Sequence, residues 1–80
     1  MLNLCEDGYF SYPAINYVTI TYGQTKYEET REIVYKKDNF FMIGSGNKIE
    51  LHFGFKLTEN DNIFKCSSIH FYDKKKYNFI

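Results

Sequence analysis

The sequence predicts an all-β fold, an antiparallel meander of about six short strands curled into a small barrel or sandwich. Short runs rich in Val, Ile, Thr, Tyr and Phe recur along the chain and are separated by clusters of Gly, Asn and Asp, the punctuation of strands and turns. Within these runs apolar and polar residues alternate with period two, which gives a strand one buried face. Eighty residues make one domain, 1–80, whose core would be marginal, but eight Phe and eight Tyr offset the small size because each aromatic ring buries a large area.

Taken in order, Gly8 to Pro13 is short and aromatic, and Pro13 ends or edges any strand there because it lacks a donor for the ladder. Ile15 to Tyr22 is a β-type run with Val18, Ile20 and Tyr22 on one face. Gly23-Gln24 forms a tight turn. Thr25 to Lys37 supports two readings. As a strand it makes hairpins on both sides, with Ile33 and Tyr35 alternating. As a helix it has a capping box at Thr25 and Glu28, with acids early and Lys36-Lys37 late, and the fold becomes α+β and ferredoxin-like. The strand reading is preferred, because Tyr27, Arg31 and Val34 make only a thin helical stripe.

The centre of the chain, Asn39 to Tyr72, reads as three consecutive strands. Gly44-Ser45-Gly46-Asn47 is the first turn. As a four-residue loop it sets Ile43 opposite Lys48, Met42 opposite Ile49 and Phe40 opposite Leu51. Ile49, Leu51, Phe53 and Phe55 then alternate with Glu50, His52 and Gly54. Lys56 to Asp61 supplies the second turn, and Phe53 is placed opposite Phe64, with Leu51 opposite Cys66. In that register Ser68 would be buried, so a β-bulge at Ser67-Ser68 is expected to return Ile69 and Phe71 to the apolar face. The expected core is Phe40, Met42, Leu51, Phe53, Phe64 and Ile69. A charged turn at Asp73 to Lys76 and a last strand at Tyr77 to Ile80 complete the meander.

The chemistry that the sequence argues against is clearer than the chemistry it favours. Formal net charge is zero, against a dedicated nucleic-acid binder that relies on backbone electrostatics. The first seven residues have no basic region followed by an apolar stretch, and no run approaches membrane-spanning length. A cytoplasmic protein with Cys5 and Cys66 reduced is expected, with a Cys5–Cys66 disulfide as the alternative for an exported one. Cys66 and His70 are four apart, which in a strand separates them by roughly 13 Å, too far for one zinc ion. No metal and no cofactor is expected. Cys66 with His52 or His70 could be drawn as a dyad, but the register sets the thiol and the imidazoles on opposite faces, so no catalytic residue is assigned.

Three binding surfaces are suggested. The polar face of the central sheet, Lys48, Glu50, His52, Lys65, His70 and Tyr72, is a candidate for a small anionic ligand. His52-Phe53-Gly54-Phe55 resembles the aromatic-Gly-aromatic strand of RNA-recognition motifs, which implies binding of a nucleotide or single-stranded nucleic acid. Leu51 and His52 stand where that motif has a basic residue and a glycine. Surplus aromatic surface points to a protein partner. Phe41 and Ile43 are expected to face outward, and Ile15 to Tyr22 to be an exposed sheet edge without Lys or Glu, so Phe41, Ile43, Tyr17 and Thr19 are the expected contacts, with self-association included. The expected function is therefore a small non-enzymatic protein-binding module. The abundance of Lys, Asn, Ile, Tyr and Phe follows AT-rich coding and suggests a phage- or mobile-element-encoded inhibitor of a host defence protein. A nucleotide or single-stranded nucleic-acid binder is the alternative. No membrane partner is expected.

Overall fold

The computed structural model of the chain describes residues 8–23, 27–57, 59 and 62–75. Seven strands are described: β1 (Gly8–Ala14), β2 (Tyr17–Tyr22), β3 (Tyr27–Glu32), β4 (Tyr35–Lys37), β5 (Phe40–Ser45), β6 (Lys48–Lys56) and β7 (Ile63–Asp73). No helix occurs among the described residues. From Tyr27 to Lys37 the segment with two readings forms two strands, β3 and β4, joined by Ile33-Val34; residues 24–26 lie outside the described residues. The β-branched and aromatic residues Thr30, Ile33 and Tyr35 favour that state, and a single amphipathic turn does not outweigh it. The expected last strand, residues 77–80, and Cys5 lie outside the described residues.

All seven strands form one antiparallel sheet in the order β3-β2-β1-β7-β6-β5-β4. Chain neighbours pair along a meander except at one place. β3 and β4 follow each other in sequence yet occupy opposite edges. β3 ends at Glu32 and β4 begins at Tyr35, so three virtual bonds allow those ends to be no more than about 11 Å apart. The sheet therefore has to roll until its edges approach, without closing into a barrel. Ile33 N–H donates to Asn16 O and Val34 N–H donates to Met42 O, each at 2.8 Å, so the connection binds both sides. Across the seam the Arg31 guanidinium of β3 donates to Gly44 O of β5 at 3.4 Å and pairs with Glu50 of β6 at 3.5 Å. A side chain holds the seam where a backbone ladder is missing.

Rolling gives the sheet an inner and an outer face. The inner face carries the core: Phe10 from β1, Val18 and Ile20 from β2, Phe41 and Ile43 from β5, and Phe64 from β7, with Tyr12, Tyr22 and Ile33 packed against them. Phe10 stacks on Phe64 with ring centroids 5.0 Å apart and meets Phe41 edge-on at 4.9 Å. Such ring pairs add to the burial of their area. Gly54 makes this packing possible. A Cβ there would lie 2.6 Å from both the Lys65 carbonyl oxygen and Phe10 Cε2, so only a glycine lets the Phe10 ring lie against β6.

Several sequence expectations change. The β5–β6 turn is Gly46-Asn47, two residues long, with Gly46 at φ 63°, a left-handed conformation that glycine adopts without a Cβ penalty. Ile43 therefore faces Glu50 and Phe40 faces Phe53. This shift of two leaves faces unchanged. The β6–β7 register matters more: Phe64 faces Lys56 rather than Phe53, and Leu51 faces His70 rather than Cys66. At Phe64 the shift is three positions, an odd number, and an odd shift exchanges the faces; the bulge adds the fourth position seen at His70. Phe40, Met42, Leu51 and Phe53 consequently line the outer face, where Met42 is nonetheless buried as expected, while Phe41 and Ile43, expected outside, are fully buried in the core. The bulge lies where it was expected. Phe53 pairs with Ser68 and Gly54 with Cys66, leaving Ser67 as the extra residue. Ile15 to Tyr22 is not an edge, because β2 pairs with both β1 and β3. The free edges are β3 and β4, rich in Glu and Lys, as exposed edges commonly are. Cys66 is disulfide-bonded, which replaces the expected reduced thiol.

Candidate functional site

The six residues expected to form one polar ligand face are divided between the two faces. Lys48, Glu50 and His52 belong to the inner face, in register with Ser45, Ile43 and Phe41. Lys65, His70 and Tyr72 belong to the outer face, in register with Phe55, Leu51 and Ile49. His52 and His70 thus stand on opposite sides of the sheet, and Cys66 is engaged in its disulfide. These three side chains do not converge. Among the described residues no group of three His, Cys, Asp or Glu could hold a metal ion.

What the inner face holds is a small polar cluster inside an aromatic core. His52 is 3 % exposed, and its ring stacks on Phe41 at 4.5 Å. Its Nε2 lies 2.9 Å from Glu50 Oε1. An ionised carboxylate only accepts, so the neutral imidazole carries its hydrogen on Nε2 and donates it. Burial is the largest influence and pushes the imidazole below the ordinary histidine range, although hydrogen bonding to Glu50 works the other way. Glu50 is held in turn by Arg31. On the neighbouring strands Tyr22 donates its hydroxyl to Glu29 at 3.0 Å, and burial, followed by that carboxylate, raises the phenol to about 12. No buried side-chain nitrogen or oxygen among the described residues lacks a partner. A satisfied cluster of this kind fixes the packing of β3 against β5 and β6.

The outer face has the opposite character near the end of β6. Phe55, Leu57 and Ile63 are 55 %, 47 % and 42 % exposed. The register makes them neighbours: Phe55 faces Lys65, and Leu57 N–H donates to Ile63 O at 3.1 Å. Ile63 in turn lies beside Ser11 of β1. The patch borders an open hollow of about 390 Å³ lined by Tyr9, Ser11, Thr19, Thr21 and Glu28 among others. Of the four expected partner contacts, Thr19 lines this hollow and Tyr17 lies on the same face, in register with Ala14 and Glu32. Sequence reasoning assigned Phe55 to the buried face and Leu57 to a turn. The signal available was that large apolar residues continue past Gly54, beyond the reach of the inner core.

A second aromatic feature occupies the outer face of β4 to β7. Tyr35, Phe40, Phe53, His70 and Tyr72 form a column with successive centroids 6.0, 5.1, 5.6 and 6.5 Å apart. All but the last pair, His70 and Tyr72 of β7, pack across adjacent strands, the arrangement by which cross-strand aromatic pairs stabilise a sheet. They include Phe53 of the His52-Phe53-Gly54-Phe55 stretch, whose Gly54 is occupied by the Phe10 ring rather than open to a base. Comparison of the chain with protein-family models, curated proteins and solved structures gives no match.

Proposed function

We propose that this chain is a small non-enzymatic protein-binding module that docks a partner protein on the outer patch of Phe55, Leu57 and Ile63. The observation that carries the reading is the contiguity of three large, exposed apolar side chains where β6 ends beside β7, with threonines and one carboxylate beside them. Apolar patches rimmed by polar groups on small domains mark interaction sites, and aromatic anchors dominate their energetics. The inner polar cluster supports the same reading, because its groups satisfy each other and its imidazole, His52, is buried. A phage- or mobile-element-encoded inhibitor of a host protein is the setting that the composition suggests. A cystine at Cys66 favours an oxidising compartment over the cytosol expected from sequence. Among the described residues no helix is long and apolar enough to cross a membrane.

The test uses Phe55→Ser with Leu57→Lys. Both positions are exposed, so stability should change by no more than about 1 kcal/mol. A photo-reactive residue at position 57 should crosslink a discrete partner in host extract. Unlabelled wild-type protein should compete for it and the double variant should not. Competition by the double variant at wild-type strength would place the docking surface elsewhere. Light scattering of the purified protein separates a second copy of the chain from a foreign partner.

A further inference from the structure

At the end of the rolled sheet away from the Gly46-Asn47 turn lies a cavity of about 560 Å³, within the range of small-molecule sites, which favour barrel mouths. Its base is the aromatic core, represented by Tyr12 and Phe64. Around it stand Lys36, Lys37, Lys56, Asn39 and Asn62, with Asp38 as the one carboxylate among the described lining residues. The register explains how cations come to be there. Lys36 pairs with Phe41 and Lys56 with Phe64, so both lysines belong to the inner face, at its last positions, where the core gives way to solvent. Three ammonium groups against one carboxylate give the described lining a net positive charge in a chain whose formal charge is zero.

The mouth is also held in shape. The Tyr12 hydroxyl donates toward Lys37 O and Phe40 O, at 3.3 and 3.2 Å. The Asn62 amide donates to Tyr12 O at 2.9 Å. Lys36 Nζ sits 4.3 Å from the centre of the Tyr12 ring, a cation–π contact that holds the ammonium over the cavity floor. None of the three lysines takes part in an ion pair among the described residues. Unpaired ammonium groups beside a low-dielectric aromatic wall attract an anion more strongly than the same groups in open water.

We propose that this mouth binds a small ligand that carries more than one phosphate group, of the pyrophosphate and polyphosphate class. Lysines serve as point-charge partners for phosphate oxygens, and several of them around one cavity suit a ligand with more than one phosphate. The ring on the floor is already covered by Lys36 and packed edge-on against Phe10, Phe41 and Phe64. Charge therefore supplies the recognition, and base stacking does not. The site is independent of the outer docking patch, since its residues and its chemistry are different, and either can fail alone.

The experiment is a titration of uniformly labelled protein with ATP, AMP, inorganic pyrophosphate and citrate at low ionic strength, read by amide resonances. ATP and pyrophosphate should move the signals of Tyr12, Lys36, Lys37 and Asn62 saturably, with dissociation constants of about 1 mM or tighter. AMP and citrate should bind about tenfold more weakly. Lys36→Met with Lys56→Met should weaken pyrophosphate binding by about tenfold or more while the rest of the spectrum stays folded. Should that double variant unfold, Lys37→Gln, at an exposed position, should still weaken binding measurably. The proposal is overturned if neither ATP nor pyrophosphate moves the mouth signals at about 10 mM, or if the lysine variants bind as wild type does. It is equally overturned if citrate matches pyrophosphate, or if ATP binds while pyrophosphate does not, which would assign recognition to general anion attraction or to the base.

Discussion

Replacing Gly54 by alanine probes the packing with a single methyl group. The added Cβ would lie 2.6 Å from the Lys65 carbonyl oxygen, 2.6 Å from Phe10 Cε2 and 2.9 Å from Phe10 Cζ. Carbon contacts are comfortable at about 3.5 Å or more, so something has to move by about 0.9 Å. The Lys65 carbonyl is backbone in a strand whose partners are β6 and β1, and it yields little. The Phe10 ring would have to shift, but it is stacked on Phe64 and edge-on to Phe41. Overpacking of this kind costs about 1–3 kcal/mol. Expulsion of the ring from the core would add about 1.5–3 kcal/mol, while the lower entropy of an unfolded alanine chain offsets about 0.4–1 kcal/mol. With the ring displaced, the net expectation is a loss of about 1.5–5.5 kcal/mol, set against a total stability of about 4–12 kcal/mol for a domain this size. Urea denaturation followed by circular dichroism measures it, and Phe10→Leu gives the control. In that background the Gly54→Ala cost should fall by about 1 kcal/mol or more, since the two sites share one contact. A neutral or stabilising Gly54→Ala would refute the approach of Phe10 to β6, and equal costs in both backgrounds would refute the coupling.

Phe41→Ala should destabilise the protein by about 3–5 kcal/mol, as for a fully buried ring, whereas Leu51→Ala on the outer face should cost about 1 kcal/mol; equal losses in chemical denaturation would contradict the division of faces. His52 should make stability depend on pH. Its folded-state pKa is lowered by burial, so the unfolded chain takes up the proton first, and stability is fully present above the ordinary value of about 6.5 and is lost as pH falls from there through the lower folded value. His52→Gln should remove that component from the difference between urea midpoints at pH 8 and pH 5, and an unaltered pH profile would show that the imidazole is not held neutral.

Much of the strand content could be read from the sequence because it is local. Val18, Ile20 and Tyr22 share the face expected of them, and the bulge at Ser67 follows from the need to bring Ile69 back beside Phe64. The choice of inner face was not legible, for two physical reasons. In β5 both faces are apolar, since Phe40 and Met42 alternate with Phe41 and Ile43, so periodicity alone does not orient the strand. In β6 the periodicity points outward, because Leu51 and Phe53 look like core while Glu50 and His52 look like surface. The inner position of Glu50 is stabilised by Arg31, which reaches it only after the sheet has rolled, and Glu50 in turn pairs with His52. The pairing of β1 with β7 is equally non-local, and without it β2 looks like an edge. The two candidate sites were missed for the same reason: Leu57 and Ile63 become neighbours through the β6–β7 register, and Lys36 and Lys56 through the closing curvature of the sheet.

Which face of this sheet is turned inward decides both the docking patch and the cation-lined mouth. Solvent paramagnetic relaxation with a soluble gadolinium chelate measures it directly, side chain by side chain, without a partner or a variant. The methyl signals of Leu57 and Ile63 and the ring signals of Phe55 should be strongly broadened, while those of Val18, Ile43 and Phe41 should be protected. Ile43 and Phe41 signals that broaden as fast as those of Ile63 and Phe55 would contradict the account at its centre.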